Sequence, residues 1–204
     1  MKLLVERQRT ERGSTIMGKL NKILSVVGRG LIKQIETINS DLYMRAYVKH
    51  LRRCGVRIAG TPKYIHPSAY FDGNDYSKIS FGDNITISRD VIILTHDYSI
   101  TTALTAIGIR LERHKGERYF SESIEIGKDC FLGARTIVLP GTRIGDNVIV
   151  GAGSVVRGEI PSNCIIAGNP ARQIAVTSTW AERRLAEGRS NIEEPIQRNQ
   201  ATNS

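Results

Sequence analysis

Between Ile126 and Val156 an aliphatic residue returns at every sixth position: Ile126, Leu132, Val138, Ile144, Val150 and Val156. Glycine follows at 127, 133, 145 and 151. A strand repeats every two residues and a helix every 3.6, so a period of six belongs to neither. It suits a chain that turns a corner every six residues, with one short flat strand per side. Three sides close a triangular coil of about eighteen residues, and stacked coils bury one another's aliphatic residues as a solenoid. The residue four further on is small or aliphatic (Cys130, Thr136, Thr142, Val148, Ser154), which predicts a second inward position near each corner. Glycines and pairs such as Asp146-Asn147 are expected to supply the turn conformations.

The register extends upstream through Phe81, Ile87 and Ile93, and, after a slip of four residues, through Ile65 and Phe71. Phe120 heads FSESIE in phase with Ile126. Between Tyr98 and Phe120 the pattern is lost, so residues 99–119 are expected to form a loop excursion, a feature usually tied to function. The fold class is therefore mainly β: a parallel β-helix over residues 58–174. A mainly helical segment, residues 1–57, precedes it, and a short helix near Trp180–Ala186 with a polar tail, residues 175–204, follows.

In residues 16–53, Leu20, Leu24, Val27, Leu31, Ile35 and Ile38 form one helical stripe, and Gly28 and Gly30 predict a break. A second helical piece is expected from Asp41 to Arg53. These helices either pack on the repeat domain or a neighbouring copy, or lie on a membrane surface. Met17 opens MGKLNKILSVVG, a possible alternative start of translation.

The chain carries 29 Lys+Arg against 20 Asp+Glu. Thirteen basic and four acidic residues fall in 1–57, and sixteen of each in 58–204. The basic character thus belongs to the N-terminal segment, a surface suited to an anionic partner. Basic residues there are not interleaved with a base-stacking platform, which argues against nucleic acid. No run reaches ~18 apolar residues, so no transmembrane helix is expected, and the leader lacks the apolar core of a secretory signal. Cys54, Cys130 and Cys164 are far apart without a CxxC, which suggests neither a disulfide framework nor a zinc site. A cytoplasmic location is expected, with peripheral contact at the inner face of a membrane through residues 16–57.

The hexads, His96 in VIILTHDYSI just before the excursion, and the closing IIAGNPARQI together resemble the hexapeptide-repeat acyltransferases, in particular the galactoside/maltose and surface-polysaccharide O-acetyltransferases. The resemblance covers about residues 58–174. It implies a left-handed parallel β-helix, a homotrimer, and acetyl-CoA as acyl donor bound between neighbouring subunits. It implies that His96 is the catalytic general base. An imidazole, with an unperturbed pKa of about 6.5, can take the proton of an attacking hydroxyl at neutral pH, with direct acyl transfer and no covalent enzyme intermediate. The ring needs an orienting partner, which the sequence does not identify.

Further roles follow from the same resemblance. In FDGNDYSKISFGDN, Asp75 and Asp72 are acceptor-site candidates, and His114, in the excursion, is a third. Phe131 would pack against pantetheine or acceptor, and Ala134 and Ala152 would let the pantetheine arm lie close. Arg157 and Arg172 are candidates for the CoA phosphates, although VVRGEI departs from the family's usual Thr-Lys pair. His50 is expected on an exposed helix face and His66 in a turn. The spacing of 66, 96 and 114 does not resemble a three-histidine metal site, and no metal is expected. The long basic N-terminal segment departs from the family's enzymes for small soluble acceptors. It favours a saccharide acceptor that is a surface polysaccharide or its precursor. The alternatives are N-acyl transfer to an amino-sugar nucleotide, and a non-catalytic β-helix scaffold.

Overall fold

The computed structural model describes residues 28, 30–72, 76–111 and 118–188. Met17, Leu20, Leu24, Val27, Asp75, His114 and the tail from 189 onward lie outside the described residues.

Two- and three-residue strands follow one another around a triangular coil. The first coil is Arg57–Ile58, Tyr64–Ile65 and Tyr70–Phe71, and the second Ile79–Phe81, Thr86–Ile87 and Ile92–Ile93. After the excursion come Ile124–Ile126, Phe131–Leu132 and Ile137–Val138, then Arg143–Ile144, Ile149–Val150 and Val155–Val156. These strands stack in parallel into three sheets. The register sets the aliphatic residues in columns: Phe81, Ile126 and Ile144; Ile65, Ile87, Leu132 and Val150; Phe71, Ile93, Val138 and Val156. None of them is more than 4% exposed. The second inward positions, Cys130, Thr136, Thr142, Val148 and Ser154, are also buried. Their hydroxyls are satisfied locally: Thr136, Thr142 and Ser154 donate to the carbonyls three residues earlier, at 2.7, 2.6 and 2.6 Å.

The hexad glycines have a different task from the one their composition suggests. A β-carbon on Gly82 would meet the backbone of Gly127, and one on Gly127 the backbone of Gly145. They are required by the close approach of one coil to the next. Left-handed turn positions are shared between other glycines, such as Gly141, Gly153 and Gly158, and Asn or Asp residues, including Asn84, Asp129, Asn147 and Asn163, with φ of 53°, 56°, 55° and 62°, residues that tolerate this conformation. Their side chains link successive coils, Asn84 to Asp129 at 2.7 Å and Asn147 to Asn163 at 3.0 Å.

Several expectations are corrected. Phe120 does not head an inward hexad: it is 51% exposed and pairs antiparallel with Asp97. In-phase spacing failed there because the chain is still returning from the excursion; Ile124 is the first buried residue of the third coil. The excursion itself is not all loop but contains a helix, Ser99–Ala106. At the far end the coil path stops before 174: Cys164–Gly168 is followed by Ala171–Val176, which returns antiparallel along it and leads into the helix Thr177–Ala186. At the near end, the predicted stripe is only partly inward. Ile35 packs against the core, whereas Leu31 and Ile38 are 67% and 86% exposed.

The helix Ser40–Arg53 is capped by Asn39, whose Oδ1 accepts from Leu42 N at 2.8 Å. It buries Tyr43, Tyr47, Val48 and Leu51, three of which join the cluster that contains Ile65. Tyr43 OH donates to Ile65 O at 2.7 Å, and Arg52 Nη2 to Gly60 O at 2.7 Å. The helix thus closes the open end of the first coil, as solenoids require of their terminal units. His50, expected to be exposed, is half-buried beside Tyr47 and Cys54.

Candidate active site

Phe71 and Ile93 pair in register, so the chain leaves the third sheet at the same place in the first two coils. Asp72 N donates to Ile93 O at 2.9 Å. From this corner the second coil runs through Leu94 and buried Thr95 to His96, which opens the short strand His96–Asp97 at the foot of the excursion. The outcome is a contact between coils: His96 Nδ1 lies 2.7 Å from Asp72 Oδ2, with side chains 21% and 15% exposed. With Nδ1–H donating to the carboxylate, Nε2 keeps its lone pair and is the nitrogen available as a base. Asp72, expected on the acceptor side, meets the imidazole at Nδ1, where the sequence identified no partner.

The excursion is pinned where it begins and ends. His96–Asp97 pairs antiparallel with Phe120–Ser121. Glu122 N donates to the carbonyl of buried Thr95 at 3.0 Å, and Lys78 Nζ to Ser121 Oγ at 2.6 Å. Asp97 turns away from the imidazole and accepts from Ser99 N at 2.7 Å. This frame brings two tyrosines to His96. The rings of Tyr98 and Tyr119 approach the imidazole edge-on at 5.3 and 6.0 Å, and each other at 5.1 Å. Both are about half exposed. They were missed in the sequence; the available signal was an aromatic residue at each foot of the excursion.

Phe131 presents its ring outward from the second sheet. Ala134 and Ala152 occupy the corner between the second and third sheets in successive coils, where Gly153 N donates to Ala134 O at 2.8 Å. Arg157 and Arg172 are exposed, and Arg172 Nη1 donates to the carbonyl of Ala171. The structure therefore unites His96 with Asp72 but sets Phe131, Ala134 and Ala152 elsewhere on the triangle.

Two of the three thiols are unsuited to nucleophilic work: burial pushes Cys130 up to about 11 and raises Cys164 as well. Burial, and next the charge of Arg89, lowers the pKa of His66, whose Nδ1 lies 2.9 Å from Ser68 Oγ. Among the described residues, no three His, Cys, Asp or Glu side chains are grouped to hold a metal, and no helix is long and apolar enough to cross a membrane.

Comparison with known proteins bears on the whole arrangement. The family described as hexapeptide repeat of succinyl-transferase matches residues 123–157. Protein CapG of Staphylococcus aureus is 35% identical over 125 residues, which cover 61% of this chain and 67% of that protein. The chain belongs to the hexapeptide-repeat acyltransferase family. Among its other relatives in the family, WbbJ of Escherichia coli (strain K12), provisionally named a lipopolysaccharide biosynthesis O-acetyl transferase, is 37% identical over 110 residues, covering 50% of this chain and 55% of that one. A solved galactoside acetyltransferase in complex with coenzyme A shares the fold, with a TM-score of 0.53 at 18% identity over 78% of this chain and 83% of that one. The hexapeptide-repeat chain is thus a left-handed parallel β-helix. It spans between 52% and 61% of the length of several curated relatives.

Proposed function

We propose that this protein is an acetyl-CoA-dependent O-acetyltransferase that modifies a saccharide hydroxyl of a surface polysaccharide or its precursor. The observation that carries the reading is the Asp72–His96 contact at a solvent-facing corner, beside two half-exposed tyrosines. The acceptor hydroxyl gives its proton to His96 Nε2 as its oxygen attacks the thioester carbonyl carbon. The carbon–sulfur bond breaks as the tetrahedral intermediate collapses, and the imidazolium returns the proton to the CoA thiolate. Asp72 holds the ring by Nδ1 and stabilises its charged form in between. Tyr98 and Tyr119 offer apolar ring surface and polar tips, a combination that suits a sugar ring and its hydroxyls.

The donor is acetyl-CoA, with Phe131, Ala134 and Ala152 along its pantetheine arm and Arg157 and Arg172 toward its phosphates. Because these residues and His96 lie on different sides of the triangular solenoid, a complete site needs a second copy. This supports a homotrimer with the donor held between chains. Asp75 and His114 remain acceptor-side candidates. The basic N-terminal portion supports peripheral contact with an anionic membrane, where lipid-linked glycans are assembled.

The test is thiol release from acetyl-CoA against a panel of mono-, oligo- and polysaccharides. Turnover yielding a hydroxylamine-labile acetyl ester is expected. A hydroxylamine-stable amide product would replace O-acetylation with N-acylation, and absence of coenzyme A binding would point to a scaffold.

A further inference from the structure

The Ser40–Arg53 helix does more than close the solenoid. Between its outer face and the turn of residues 61–63 runs a groove of about 870 Å³. Five cations line it, Arg45, Lys49, Arg52, Arg53 and Lys63, against one carboxylate, Asp41. Arg52 is committed to the backbone carbonyls of Ile58 and Gly60. Among the described residues, the other four cations have no carboxylate within ion-pair distance. The groove also has apolar lining, from Met44, Val48 and Pro62. At 100° per residue, Leu42 shares a helix edge with Lys49 and Arg53, and it is 53% exposed.

We infer that this groove is the docking site for the phosphate headgroups of an anionic phospholipid surface. Charge selects the occupant. Residues 1–27 carry six basic and two acidic side chains, so the chain's own leader is repelled by the groove, and so is a second copy presenting the same groove. A soluble phosphate would satisfy the cations but make no use of the apolar lining or of Leu42. A lipid surface engages all three: headgroups at the cations, and the headgroup–acyl boundary at the apolar residues. The inference locates the membrane contact proposed above and does not depend on the transferase chemistry.

Co-sedimentation of the full chain with phosphatidylcholine vesicles, with and without about one-third phosphatidylglycerol, tests it. Binding to the anionic vesicles alone, weakened by salt, is expected. Arg45→Glu with Lys49→Glu should lower partitioning by at least about tenfold. Lys128→Glu with Arg143→Glu, an equal change of charge on exposed residues elsewhere, should leave partitioning near wild type. Equal loss in both double variants would show diffuse attraction and overturn the groove, as would full binding by the Arg45/Lys49 variant. Failure of the wild type to bind, or binding of inorganic pyrophosphate without vesicles, would overturn the lipid assignment. Thiol release from acetyl-CoA, measured on the same preparations, reports separately on the transferase reading.

Discussion

His96 and Asp72 stand 24 positions apart in the sequence, yet their side chains meet at 2.7 Å. Replacing the carboxylate with an amide keeps its shape but removes the charge that would stabilise an imidazolium, and lets an N–H donor face Nδ1 and favour the other tautomer. Asp72→Asn is therefore expected to lower kcat by about 10²-fold, with little change in the KM for acetyl-CoA. An unchanged kcat would show that the contact is structural. His96 was legible because the residues around it resemble a family motif. Asp72 was singled out for the acceptor side without this contact, since an ion pair across coils depends on which strands stack. The pairing of Phe71 with Ile93 supplies that information, and the slip of four residues before Phe81 concealed it. Tyr98 and Tyr119 were hidden for the same reason: only the antiparallel pairing at the feet of the excursion brings them to the imidazole.

At the level of the element, the hexad was legible almost residue by residue, because a six-residue period leaves one inward column per side. The glycines that follow the hexad aliphatics show where composition misleads. Gly127 lies outside the left-handed region, so an alanine there is limited by space alone, and that space is taken by the Asp146 carboxylate and the backbone of Gly145. Gly127→Ala is expected to destabilise the fold by about 1–3 kcal/mol, the usual cost of overpacking, visible as a lower denaturant midpoint. An unchanged midpoint would contradict the stacking of these coils. The excursion helix and the final return strand carry no hexad signal, since neither packs in the repeating columns. Phe120 shared the phase of Ile126 without sharing its environment. The stripe at Leu31 and Ile38 failed for a related reason, because periodicity marks a face but not what covers it.

For the whole molecule, the decisive arrangement is the separation around the triangle, with His96 at one corner and the donor-binding candidates at another. If the two halves of a site come from different chains, two defective variants should repair each other. Co-expressed chains carrying His96→Ala and Ala152→Trp, each inactive as a homo-oligomer, are expected to form mixed oligomers that regain activity. No recovery in verified mixed oligomers would place both residues in one chain's site. The chain's charge is divided as well: the basic excess falls in residues 1–57, while residues 58–204 carry as many acids as bases. All of this rests on acyl transfer with His96 as the base. The most direct measurement is thiol release from acetyl-CoA, with the best glycan of the panel as acceptor, by wild type and by His96→Ala of matched fold and oligomeric state. A fall of at least about 10²-fold in the variant is the predicted result; equal turnover would contradict the account.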